Sequence, residues 1–381
     1  MIYLDNNATT RVDPEVVAAM APFWSEAYFN PTSIAGEIIG TNKPILEAKT
    51  ALASLLRATP EEFVITSGAT EANNWVLQST VRKNLRTSGE CHLIVSAIEH
   101  PSVLETAIAL KENNKGVSLD LVPVDNNGVI LIDALAGLVS NKTSIVSIML
   151  ANNETGVIQP ISEAAKCVKE INPNCYFHTD ATQAVGKIMV NLEIDLCEVD
   201  FLSLSAHKLH GPKGIGSLFI RSGRKLDPLL FGGGQQNNMR SGTENPALAA
   251  GLAKALKLFA GNAQIEENGT HMRELRDLME STIINQNPFV TILGSKAPRL
   301  PNTSLLIYRD NEGEMMVHKL LENNIIASTG SACSQGSDHP SHVVTAMGVD
   351  FAAARNVLRL SMTYTTKKQS ILQCLSILSQ L

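Results

Sequence analysis

The feature that most constrains this chain is a repeated alternation of two patterns. Short apolar runs, rich in Val, Ile and Phe, are separated by longer stretches with the apolar spacing of helices. Phe63–Thr66, Leu93–Ser96, Leu119–Val124, Ile145–Leu150, Tyr176–Thr179, Phe201–Leu204 and Ser217–Ile220 read as strands. Pro44–Arg57, Glu71–Arg86 and Ser162–Ile171 read as helices. Strands alternating with helices mean βαβ units, hence an α/β fold with a mostly parallel sheet covered on both faces. In such sheets ligands bind in the crevice outside the carboxyl ends of the strands. Around Pro246 the pattern changes to a long helical stretch running to about Asn285. A strand at Asn302–Tyr308, a helix at Gly313–Asn323, a strand at Ile325–Ala327, a loop with Cys333, a strand at Val357–Ser361 and a terminal helix follow. That order predicts a smaller α+β domain after the large α/β one.

Composition narrows the class. The chain has 381 residues, 44% hydrophobic and 18% charged, which is ordinary globular composition with ample core. A net charge of −6 argues against direct nucleic-acid binding spread over the surface. The six cysteines form no Cys-x-x-Cys pair and no zinc spacing, so no metal site is expected. No apolar run reaches a membrane span, and the start lacks a basic segment followed by an apolar one. These features predict a cytoplasmic protein with reduced thiols.

The chemistry-bearing residues cluster after the predicted strands. In Phe201-Leu-Ser-Leu-Ser-Ala-His-Lys208, an amine stands at a strand's mouth, with small residues before it and Gly211, Gly214 and Gly216 after it. A lysine there suits a Schiff base with a carbonyl cofactor; alone, it would read as a solvated loop lysine. Ser67-Gly-Ala-Thr-Glu-Ala-Asn73 follows a strand and opens a helix, a phosphate site or a plain N-cap. His178-Thr-Asp180-Ala-Thr-Gln183 puts a carboxylate at a strand end. It could pair with a protonated pyridine nitrogen or simply cap the next helix. His100, after Glu99, could stack on a ring or shuttle protons. Asn152-Asn-Glu-Thr-Gly156 enters the same crevice, or only shapes a turn. The polar, Gly-rich run Gly232 to Pro246 carries Arg240, Ser241 and Thr243 and suits anion binding, a subunit contact or a linker. Ser328-Thr-Gly-Ser-Ala-Cys333-Ser-Gln-Gly-Ser-Asp338 sets one thiol among small polar residues, where it would be exposed as a travelling nucleophile must be. Cys91, Cys167, Cys197 and Cys374 have neighbours more like core or helix surface.

Taken together these residues resemble the pyridoxal-phosphate-dependent cysteine desulfurases, in the group whose loop carries Ser-Gly-Ser-Ala-Cys. The resemblance runs nearly end to end. It includes Leu4-Asp-Asn-Asn-Ala-Thr-Thr10, Thr66 to Glu71, Glu99-His100, Asn152 to Gly156, Asp180 to Gln183, Ser205 to Gly216, Gly232 to Asn245, Gly330 to Cys333 and Leu358 to Ser361. It implies the type I pyridoxal-phosphate-dependent transferase fold and a homodimer. The large cofactor-binding domain would be 13–255, and the small α+β domain would be 1–12 with 256–381, carrying the Cys333 loop. Lys208 would hold pyridoxal 5'-phosphate as a Schiff base, Asp180 its ring nitrogen and Gln183 its ring hydroxyl, with His100 stacked on the ring. Ala69, Thr70, Ser205 and His207 would hold the phosphate, joined by Thr243 of the other subunit. Asn153 and Arg359 would bind the substrate L-cysteine, Arg359 through its carboxylate. Cys333 would accept the sulfur as a persulfide and carry it to an acceptor protein, for iron–sulfur assembly or for tRNA or DNA sulfur modification.

Some residues depart from that group. Ala206 stands where a Gly is common and is expected to narrow the space near the phosphate. The segment Asn30-Pro-Thr-Ser-Ile-Ala-Gly36 lacks a His common there, and Leu360-Ser-Met-Thr363 replaces Phe-Ser-Leu-Gly, which would reshape the substrate pocket's wall. The chain ends at Leu381, whereas some relatives carry a longer tail that docks an iron–sulfur scaffold. That leaves nucleic-acid sulfur modification open. The competing readings are another enzyme of the same fold, such as an aminotransferase or selenocysteine lyase, and a catalytically idle sulfur-relay partner.

Overall fold

The computed structural model describes residues 1–259, 261–330 and 340–380, so Cys333 lies outside the described residues. The strands in chain order are β1 (Ile2–Tyr3), β2 (Phe63–Thr66), β3 (Cys91–Ser96), β4 (Val117–Val122), β5 (Thr143–Ser147) and β6 (Tyr176–Asp180). They continue as β7 (Phe201–Ser205), β8 (Gly216–Ile220), β9 (Thr291–Ile292), β10 (Thr303–Ile307), β11 (Ile325–Ile326) and β12 (Val357–Ser361). β2 to β8 make a seven-stranded sheet in the order β2-β8-β7-β6-β5-β3-β4. All its neighbours pair in parallel except β8, which runs antiparallel to β2 and β7. The chain steps outward from β3 to β4, then returns through β5 to the other side. This reversal opens a crevice above β3 and β5.

Every residue of β6, β7 and β8 is buried, as the apolar runs require of strands covered on both faces. One face packs helices Lys43–Leu56 and Pro246–Lys257 through Leu52, Leu56, Leu252 and Leu256. The other packs helix Ala69–Ser88 through Trp75, Val76 and Leu77. A further core joins Leu4 to Leu275 and Met279 of helix Asn262–Gln286, Leu306 of β10, Leu358 of β12 and Ile371 of helix Lys368–Leu378. Parallel pairing of β1 with β11 draws the first residues into this region, where β12, β10 and β9 form an antiparallel sheet.

Several boundaries differ from the pattern-based expectation; the strand expected at Ile145–Leu150, for one, is Thr143–Ser147. The long stretch from Pro246 is two helices, Pro246–Lys257 and Asn262–Gln286. Between them Phe259 turns inward, its ring edge-on to Tyr364 at 5.7 Å, so a continuous helix gives way to burial of an aromatic. The strand expected at Leu119–Val124 is Val117–Val122, because Pro123 has no N–H for the ladder. Of the cysteines read as core or helix surface, Cys197 is exposed and Cys167 half-buried, whereas Cys91 and Cys374 are buried, as is Cys175.

Candidate active site

A cavity of about 280 Å³ lies at the carboxyl ends of the parallel strands. Ala69 and Thr70 reach it from the start of the helix after β2, His100 and Ser102 after β3, and Met149, Ala151 and Asn153 after β5. Asp180, Thr182 and Gln183 come from the end of β6, and Ser205, His207 and Lys208 from the end of β7. Arg359 of β12 and Asn7 and Ala8 close the remaining side. Nine of the sequence-predicted residues before Arg359 therefore converge on one space: Ala69, Thr70, His100, Asn153, Asp180, Gln183, Ser205, His207 and Lys208. Thr243 is not among its lining residues; it is exposed, beside a separate small cleft.

The close approach of β2, β7 and β8 depends on Gly216. A Cβ there would stand 2.3 Å from the Leu204 carbonyl oxygen and 2.7 Å from the Gly68 Cα. This tight junction lets the Ser205 Oγ accept from the Ala69 N–H at 2.9 Å, at the positive end of helix Ala69–Ser88. Ala69 and Thr70 of that helix's first turn and His207 all line the cavity. His207 accepts or donates through Nδ1 to the Thr9 hydroxyl at 3.1 Å. Burial, with Lys208 nearby, pushes His207 down to about 4, so it is neutral at neutral pH.

Asp180 is buried, and its carboxylate accepts from Asn73 Nδ2 at 2.7 Å and from the Thr182 N–H at 2.9 Å. Asn73 also donates to Ser102 Oγ at 2.9 Å, and that hydroxyl lies 2.8 Å from His100 Nδ1. The Ser102 N–H donates to the same Nδ1 at 3.1 Å, capping helix Pro101–Asn113. Since a backbone N–H can only donate, Nδ1 accepts, and neutral His100 carries its proton on Nε2. Burial holds His100 below its ordinary value against the pull of Asp180.

Lys208 Nζ donates to the carbonyl oxygens of Asn7 and Ala8 at 2.5 and 2.6 Å. Arg359, 2% exposed, donates to Asp5 Oδ1 at 2.6 Å, to the Asn153 carbonyl at 3.1 Å and to the Gly330 carbonyl. Its buried Nε has no partner among the described residues. Asn152 shapes the turn, its Oδ1 accepting from the Glu154 and Thr155 N–H groups, while Asn153 faces the cavity.

Several expectations about single residues change. Ala206 does not line the cavity; its methyl faces Gly211, where a Cβ would come within 2.9 Å. Met362 is fully buried in the core around Leu4, and Thr363 Oγ1 lies 2.6 Å from His210 Nε2, so neither residue lines this cavity. Arg240 does not offer its guanidinium to an anion, because Glu71 takes it through two bonds at 2.9 and 3.0 Å. Sequence reasoning assigned no role to Asn7, Ala8, Ser102, Met149, Ala151 or Thr182, which complete the lining. The polar run after Leu4 was the one available signal for the first two.

The aminotransferase class-V family matches residues 2–373, and the sheet and crevice are those of its type I fold. A cysteine desulfurase of Cereibacter sphaeroides is 39% identical over 378 residues, covering 99% of this chain and 94% of that one. Among solved structures, a NifS-like protein superposes with a TM-score of 0.91 at 36% identity, covering 100% of this chain and 98% of that one. SspA, described in complex with cysteine, gives 0.83 at 31% identity over 96% of this chain and 100% of its own. The chain belongs to the cysteine desulfurases of the class-V family.

Proposed function

We propose that this chain is a pyridoxal-phosphate-dependent cysteine desulfurase. It converts L-cysteine to L-alanine and delivers the sulfur to an acceptor protein. The observation that carries the reading is the single cavity in which Lys208, Asp180, His100 and Arg359 meet at the positive end of a helix. Its residues fit the cofactor. First-turn N–H groups at Ala69 and Thr70, with Ser205 and His207, suit a phosphate. Asp180, held by Asn73 and the Thr182 N–H, suits a protonated ring nitrogen. The buried Thr182 Oγ1 and Arg359 Nε, partnerless among the described residues, are polar atoms that a ligand would satisfy.

When bound, the cofactor supplies an electron sink that makes the α-proton of an attached amino acid acidic. Lys208 would hold it covalently and, once released from it as an amine, would be the base for the substrate's α-proton. His100, with its proton on Nε2, would lie against the cofactor's ring, and Gln183 would hold its ring oxygen. Arg359 and Asn153 hold the substrate's carboxylate, with Asp5 fixing the guanidinium plane from behind. Cys333 is the nucleophile: its thiolate bonds to the substrate sulfur as the carbon–sulfur bond breaks, leaving a persulfide on Cys333 and alanine as product. The persulfide then passes to the acceptor.

A homodimer completes this site. Trp24, Tyr28, Ile34, Ile38 and Phe231 are each more than half exposed, more large apolar surface than two segments of a monomer ordinarily show. Thr243, exposed and not among the residues that line its own chain's cavity, serves the partner's phosphate in this arrangement. Among the described residues no helix is long and apolar enough to cross a membrane, and all five described cysteines are free, in keeping with a reducing cytoplasm.

Product analysis tests the reaction. With L-cysteine, equal amounts of alanine and reducible sulfur are expected. A keto acid in place of alanine means an aminotransferase and overturns the proposal.

A further inference from the structure

Lys187 is a buried amine that the mechanism above leaves without a role. It follows Gly186, which has φ 78°; a Cβ on that glycine would stand 2.7 Å from Leu209 Cδ2. The resulting turn directs Lys187 inward, where it is 8% exposed. Among the described residues its Nζ meets no carboxylate. It donates to Gln183 Oε1 at 2.7 Å and to Asn7 Oδ1 at 3.4 Å. Gln183 in turn donates through Nε2 to the Asn7 backbone carbonyl at 3.0 Å, the same oxygen that Lys208 Nζ approaches at 2.5 Å. Asn302 Nδ2 donates to Asn7 Oδ1 at 3.0 Å, so Asn7 is fixed as an acceptor on both its oxygens.

A side-chain amide can face a site with either end, and the two ends have opposite character. With Lys187 behind it, the carbonyl end of Gln183 is committed away from the cavity. The amide nitrogen keeps a second N–H, and Gln183 lines the cavity. We infer that Lys187 is a positioning residue that locks the Gln183 amide in one orientation, so that the site offers an N–H, and not a carbonyl, to the ring oxygen of the cofactor. This rests on the functional reading above. The consequence is selective stabilisation of that oxygen as an anion, because a hydrogen bond to the charged form favours it. Burial, with Lys208 and Arg359 nearby, holds the Lys187 amine well below its ordinary value.

The test uses purified protein loaded with pyridoxal 5'-phosphate and follows the visible band of the bound cofactor as a function of pH. Losing the donor leaves the ring oxygen more basic, so the proton it shares is released later. In Lys187→Met the midpoint is expected to rise by about one pH unit, roughly tenfold in proton affinity. Gln183→Met is expected to shift it similarly, and the double variant no further than either alone, since Lys187 acts through Gln183. Lys187→Gln keeps an uncharged N–H donor and is expected to stay near the wild-type midpoint. An unshifted midpoint in Lys187→Met, or additive shifts in the double variant, overturns the inference while leaving the desulfurase reading intact. A wild-type protein that forms no visible band at all overturns the functional reading, and this one with it.

Discussion

At the scale of single residues, the assignment turns on which amine carries the cofactor. Two buried or half-buried lysines stand near the cavity, and they differ in placement. Lys208 lines it, while Lys187 lies behind Gln183. Borohydride reduction of the loaded protein is expected to fix the cofactor on Lys208, as read by peptide mass spectrometry. Lys208→Ala is expected to lose both the covalent label and the visible band. A label on Lys187 would contradict the assignment. Lys208, Asp180 and His100 were legible in the sequence because each follows an apolar strand directly, where the topology sends side chains into the crevice. Asn73 and Lys187 were not legible. One sits a turn into a helix and the other after a glycine turn, and no spacing rule tells such positions from solvated ones. Only the folded chain shows that Asn73 joins Asp180 to the His100–Ser102 pair.

At the scale of elements, the turns after the strands hold unusual electrostatics. Glu99, fully buried after β3, accepts from Ser96 Oγ at 2.5 Å and from the Met149 N–H at 2.8 Å through one oxygen. The other oxygen has no partner among the described residues. Burial pushes its carboxyl up to about 8, so the native state keeps a proton that the unfolded chain releases near 4.5. Between these values the unfolded state binds fewer protons, so stability falls as pH rises and levels off above about 8. Glu99→Gln is expected to flatten that fall, by an amount on the order of 4 kcal/mol across the window. Denaturant titrations at pH 5 and pH 8 would show it; an unchanged slope would mean that Glu99 is ionised in the fold. The parallel strands themselves were legible because their burial on both faces makes them continuous apolar runs. The short strands β1 and β9 were not, since two residues carry no period. The break near Phe259 escaped notice because only a distant ring, Tyr364, rewards it.

At the scale of the whole molecule, the chain's two ends meet. Leu4 packs with Ile371, and β1 pairs with β11, contacts between segments that no local pattern connects. The site draws on this closure, because Asn7 and Arg359 reach the cavity only when both ends are in place. A shared active site across two subunits makes a quantitative prediction. In a heterodimer of Lys208→Ala chains with chains disabled at Thr243, one site holds both intact residues and the other holds both defects. Activity should recover to at most about half of the wild-type dimer. No recovery in purified heterodimers of well-folded subunits would mean that Thr243 serves its own chain.

The central claim is that sulfur leaves the substrate onto Cys333. The most direct measurement is peptide mass spectrometry of the loaded protein after brief exposure to L-cysteine without reductant. The account predicts one added sulfur atom on the Cys333 peptide, formed together with alanine, and absent from Cys333→Ser although that variant still binds the cofactor. Alanine formation undiminished in Cys333→Ser, or the added sulfur on another cysteine such as the exposed Cys197, would contradict it.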